Sequence, residues 1–145
     1  MLANKRRIEM IAETIFGVAK DLFGIFSKLD EKRLSRTAKV TDYFSNLAQT
    51  IEDTSAYLKK GEYPHGKCEE LRFHAENMTK TIGDLIGKNE AEDYEGKVLE
   101  VWEIERMHYE LSDIDNEKEK HSKLQMLDEA AGYFRGVAAH LRIIG

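Results

Sequence analysis

Proline and cysteine are nearly missing from this chain: each occurs once in 145 residues. With Pro64 alone, and no run of alternating apolar and β-branched residues, the helical period is the one that fits throughout. Cys68 has no partner for an internal disulfide, which points to a reducing, cytoplasmic compartment and to a small buried apolar side chain rather than a nucleophile. Long hydrophobic runs are absent as well. Stretches such as Leu22-Phe23-Gly24-Ile25-Phe26 fall far short of the roughly 20 residues that a transmembrane helix needs. Met1 to Arg7 resembles the start of a secretion signal, but Glu9, Glu13, Lys20 and Asp21 interrupt the apolar core that such a signal requires. Positive charge is not in excess: a formal net charge of −5 argues against a surface that tracks nucleic-acid phosphates. No G-x-x-x-x-G-K-S/T or G-x-G-x-x-G string follows a plausible strand, so nucleotide binding has no support.

What is present is helical patterning in a chain of ordinary single-domain size. Its apolar content is 41% and its charged content 34%, too hydrophobic for disorder. A chain of this length buries roughly 68–70% of its unfolded surface in one core, so residues 1–145 are expected to form one domain. Breaks fall at Leu29-Asp30, at Gly61 to Gly66, at Gly87-Lys88-Asn89 and across the charged stretch Ser112 to His121. The expected fold is therefore all-α, an antiparallel bundle of four to five long amphipathic helices, with segments of about 20 to 30 residues.

Turning the chain by about 100° per residue sorts each segment into faces. In the first helix, Ile8, Ile11, Ile15, Phe16, Leu22, Phe23, Phe26 and Leu29 belong to an apolar arc wider than the ~100° stripe of a surface helix. Two readings compete for it. The helix packs between two neighbours in the bundle, or it leaves the bundle and lies in a membrane interface through Phe16, Phe23 and Phe26, helped by the basic cluster Lys5, Arg6 and Arg7. Its polar face is not lysine-rich, which weakens the membrane reading. The second helix carries a narrow stripe, Val40, Phe44, Leu47, Ala48, Ile51 and Leu58. In the third, Cys68, Leu71, Ala75, Met78, Ile82 and Leu85 share one side, whereas Phe73 points away among Glu69, Glu76, Asn77 and Lys80. Phe73 is a candidate partner-binding residue, although single exposed apolar side chains are common.

The fourth helix has ionisable groups near the middle of its stripe, with Glu105 expected inward, held by a hydrogen bond or a cation, and His108 at the edge. Glu105 and His108 have the Glu-x-x-His spacing of carboxylate-bridged metal bundles. Such a site needs a second motif and two further inward glutamates, which the other stripes do not offer, so no metal or other cofactor is expected. The fifth helix carries Leu124, Leu127, Ala131, Phe134, Val137 and Leu141. Behind them Gly132, Gly136 and Ala139 form a small-residue strip that could admit another helix closely.

Pro64, His65 and Gly66 lie in a turn that should deliver the chain into the third helix, with proline in or next to its first turn. His65 and Cys68 could share one face there. Two such residues do not complete a zinc site, and a Cys–His catalytic pair would also need an oxyanion arrangement. No catalytic residue is expected.

The strings Gly61-Glu62-Tyr63-Pro64-His65-Gly66-Lys67-Cys68 and Thr81-Ile82-Gly83-Asp84-Leu85-Ile86-Gly87 resemble an uncharacterised helical module of cyanobacterial proteins, over roughly Leu34 to Leu111. The resemblance implies an intracellular bacterial accessory or signalling domain and transfers no catalytic residue. At the level of architecture alone, the chain is similar to the N-terminal helical bundles of cell-death effectors, whose first helix disturbs membranes. The functional expectation is a non-enzymatic interaction or adaptor module that binds a protein partner or itself, through the surface around Phe73 or the strip of Gly132 and Gly136. The alternative is a membrane-active bundle that releases its first helix.

Overall fold

The computed structural model describes residues 11–29 and 37–144. Among these the chain is helical without strands: α1 (Ile11–Phe26), α2 (Thr37–Lys59), α3 (Lys67–Glu76), α4 (Met78–Ile86), α5 (Lys88–Glu100), a 3-10 turn (Ile104–Arg106), α6 (Met107–Ser112) and α7 (Glu117–Ile144). The all-α fold follows from the patterning described above.

Three helices form the frame. α2 and α7 pack most extensively, and their cross-links fix the direction. Arg142 donates to Ser45 at 3.0 Å, Arg135 to Gln49 at 2.8 Å, and Ser55 to Asp128 at 2.7 Å, so the two helices are antiparallel. α1 runs the other way relative to α2 and parallel to α7. Lys123 meets Glu13 at 2.9 Å near one end, and the His140 ring lies 3.3 Å from the Leu29 carbonyl at the other. The centre of this frame is aromatic. Phe26 meets the edge of Phe44 at 5.1 Å between ring centres, and Phe44 stacks on Phe134 at 6.0 Å. All three rings are out of contact with water. Burying each contributes on the order of 1.5–3 kcal/mol.

The short helices α3 to α6 occupy the interval between α2 and α7, and here the segments are shorter than the sequence pattern suggests. The expected third helix breaks at Asn77. Its backbone N–H and its side-chain amide both donate to the Phe73 carbonyl, at 3.2 and 2.8 Å, which closes α3. Its own carbonyl then accepts from the Thr81 N–H and hydroxyl, at 3.0 and 2.6 Å, which opens α4. The apolar spacing Cys68, Leu71, Ala75, Met78, Ile82 runs unbroken across this joint, so periodicity alone does not mark it. The expected fourth helix also breaks, between Glu100 and Ile104, and only α5 and the six-residue α6 are regular. Gly87 lies at φ +102° between α4 and α5, a conformation that side-chain-bearing residues rarely adopt.

Candidate functional site

Four places in the structure bear on function, three of them singled out from the sequence. The first is the turn into α3. Pro64 is buried, Gly66 takes φ +83°, and the Gly66 N–H donates to Glu105 Oε1 at 2.7 Å. Glu105 therefore does not sit in the stripe of a continuous fourth helix. It lies half-buried in the 3-10 turn and supplies an acceptor at the N-terminus of α3, where a negative charge is favoured by the helix dipole. The Glu105 N–H points back to Cys68 Sγ at 3.4 Å. Burial, reinforced by Glu105, pushes the Cys68 thiol up to about 12, which keeps it protonated and unreactive at neutral pH. His108 is half-buried and meets the rings of Tyr63 and Tyr109, each at 5.4 Å, and Tyr63 also meets the His65 ring at 4.7 Å. Glu105 and His108 thus diverge into different contacts. Among the described residues no group of three His, Cys, Asp or Glu could hold a metal ion.

The second place is the strip on α7. A Cβ built on Gly136 would meet Phe23 Cε2 at 2.7 Å, so this glycine already admits a helix closely, and that helix is α1 of the same chain. Gly136 is therefore not free for a partner. Gly132 has nothing within 4 Å of such a Cβ and is open. The three phenylalanines of the membrane reading are bundle contacts here. Phe16 and Phe23 pack on Tyr133 at 5.9 and 5.4 Å, and Phe26 is fully buried. For α1 to enter a membrane, the buried surface of Ile15, Leu22 and Phe26 would first have to leave the core. Lys5, Arg6, Arg7 and Ile8 lie outside the described residues.

The third was missed from the sequence. Lys123, with its side chain 8% exposed, lies 2.9 Å from Glu13 and 3.5 Å from Glu110, whose side chain is 6% exposed. Burial pulls the lysine toward its neutral form, but the hydrogen bond and charge of Glu13, with the charge of Glu110, outweigh it and hold the ammonium above its ordinary value. The cluster ties α1, α6 and α7 together. The spacing Lys123, Leu127, Ala130, Phe134 was the available signal, since it places the lysine on the apolar stripe.

The fourth place is the surface around Phe73. This ring is 64% exposed on α3, beside an open groove of about 470 Å³ between α2 and α3 lined by Asn46, Gln49, Thr50, Glu69 and Glu70. The groove has a fixed floor. Tyr43, buried on α2, donates to the His74 carbonyl at 2.5 Å, and Thr50 Oγ1 lies 3.3 Å from His74 Nε2. Burial holds the His74 imidazole below its ordinary pKa, against the opposing charge of Glu70, so the ring sits neutral between the helices. Burial likewise holds the Tyr43 phenol well above its usual range. A further groove of about 360 Å³ opens beside α6, lined by Leu58, Leu111 and Leu124 with Lys59, Lys120 and His121 at its edge. Lys59 is committed to Asp128 at 2.5 Å and Lys120 to Glu117 at 3.5 Å.

Fold and site together define an all-α bundle with an aromatic side chain presented at the mouth of a groove between two helices. No family model, no curated protein and no solved structure matches the chain.

Proposed function

We propose that the chain is a non-enzymatic interaction module that binds a protein partner or a second copy of itself through the α2/α3 surface around Phe73. One observation carries this reading: a phenylalanine left 64% exposed on a helix tied to α2 next door, where Tyr43 donates to the His74 carbonyl and Thr50 meets the His74 ring. Aromatic anchors on rigid supports contribute much of the binding energy in protein interfaces, because little conformational entropy is lost when they dock. The groove is open and shallow, the form that suits a protein surface rather than an enclosed small molecule. Of the two surfaces read from the sequence, the α7 strip is half occupied by Phe23, which leaves Phe73 as the principal contact.

The test is a paired measurement on the full chain. Phe73→Ala is expected to change the unfolding free energy by less than about 0.5 kcal/mol, as for a surface substitution. It is expected to weaken association at least about tenfold, equivalent to 1.4 kcal/mol. Sedimentation velocity reads association with a second copy, and reconstitution from purified components reads a heterologous partner. A large loss of stability would show Phe73 to be a packing residue. Association unaffected by the substitution would move the interface elsewhere.

A further inference from the structure

We infer that the partner of the Phe73 surface is a basic amphipathic helical segment of a protein; the inference rests on the interaction-module reading above. Charge and shape carry it. The charged residues that line the groove, Glu69 and Glu70, are both acidic, and their side chains are 65% and 47% exposed. Asp53, one turn along the same face of α2 from Gln49 and Thr50, is 41% exposed. The cations near these carboxylates are less available. Lys67, only 13% exposed, is held under Glu70 at 2.5 Å and Asp53 at 3.8 Å. Arg72 bridges Glu69 at 2.6 Å, but its guanidinium stands over the Trp102 ring at 5.2 Å and does not line the groove. Arg135, 43% exposed, donates to the groove-lining Gln49 at 2.8 Å but is paired with Glu52, which leaves Glu69, Glu70 and Asp53 as the carboxylates around the Phe73 ring.

The shape suits a helix. α3 runs antiparallel to α2, since Lys67 meets Asp53 at one end while His74 meets Thr50 and Tyr43 at the other. Tyr57, 41% exposed, stands one turn beyond Asp53 on α2, toward the Lys67 end of the seam. Thr50, which meets His74 next to Phe73, and Tyr57 are seven residues apart on α2, a rise of about 10 Å, so Phe73 and Tyr57 stand roughly two helical turns apart. That is the separation of positions i and i+7 on a docked helix, whose apolar positions meet Phe73 and Tyr57 and whose lysines or arginines meet Glu69, Glu70 and Asp53. Opposite charge on the two surfaces speeds encounter and selects against acidic partners.

Two fluorescein-labelled synthetic helices with the same leucine spacing test this, one with lysine and one with glutamate at its polar positions, titrated by anisotropy into the full chain. The Leu/Lys helix is expected to bind at least about tenfold tighter than the Leu/Glu helix, and the gap to narrow as salt rises from about 0.05 to 0.5 M. Phe73→Ala weakens the Leu/Lys complex at least about tenfold, and Glu69→Lys with Glu70→Lys reverses the preference. Equal, Phe73-dependent binding of both helices would overturn the basic partner and keep the interaction surface. Binding of the Leu/Lys helix that ignores Phe73→Ala would overturn the surface and the inference together. No binding of the Leu/Lys helix at about 1 mM would overturn the inference.

Discussion

α1, α2 and α7 meet along a seam in which Phe44 packs against both Phe26 and Phe134, whereas α3 and α4 join the same core through Leu71, Ala75, Met78 and Ile82 and in addition take side-chain acceptors at their starts. Glu105 accepts from the Gly66 N–H before α3, and Glu95 accepts from the Thr79 N–H at the start of α4, at 3.1 Å. Both acceptors come from distant parts of the chain. The contrast has a physical cause. Helices of 23 and 28 residues bury enough apolar stripe to be stable through packing, but helices of 9 or 10 residues are too short to persist alone and depend on tertiary partners for their unpaired N–H groups. Both halves are thus packed into one core, and the short-helix half depends on capping as well. The exposed Phe73 lies on the second half but leans on the first through His74.

The largest expected effect breaks the charged joint between the halves. Lys123→Ala removes a cation 3.5 Å from the buried Glu110 carboxylate and 2.9 Å from Glu13, and should lower the unfolding free energy by about 3 kcal/mol or more. Chemical denaturation measures it. Lys123→Met combined with Glu110→Leu should recover most of the loss, because two well-packed apolar groups replace the charges together. Failure of this recovery would make the lysine stem, not the charge pairing, the source of the loss.

A smaller effect tests close packing within the frame. Gly132→Ala should stabilise by about 0.5–1 kcal/mol, the helix-propensity gain at an open position. Gly136→Ala makes the same gain but drives a Cβ to 2.7 Å from Phe23, whose ring is packed on Tyr133, so it should destabilise by about 1 kcal/mol net. The two urea midpoints should therefore move in opposite directions. Equal shifts would mean that Phe23 swings aside freely and that α1 is loosely seated.

The smallest effect concerns the seam between the halves. The unfolded chain protonates His74 near pH 6.5, while burial holds the folded imidazole lower, so just below pH 6.5 the unfolded state binds more protons. Stability carried by neutral His74 is complete above that pH and declines as pH falls toward the folded value. Unfolding free energies across pH 5 to 7.5 should show the decline, and His74→Gln should flatten it. An unchanged slope in that variant would assign the acid sensitivity to other groups.

Much of this was legible in the residues. Helices everywhere follow from the 3.6-residue period of Ile15, Val18, Leu22 and Phe26 and of Leu127, Ala131, Phe134, Val137 and Leu141, because those spacings bury only if the chain is helical. Gly61 and Gly87 mark turns, since both take positive φ. Phe73 is exposed because it stands opposite Leu71, Ala75 and Met78, a relation that one helix settles locally.

Tertiary structure decided the rest. Asn77 interrupts an apolar stripe that reads as continuous, because the break costs no packing and its side chain satisfies the freed carbonyl. Gly136 reads as an open strip, but α1 fills it. Glu105 reads as inward, but a backbone N–H from a loop 39 residues earlier in the chain draws it to the start of α3. In each case the outcome depends on groups far apart in sequence, and side-chain period reports only what one helix does with its own neighbours.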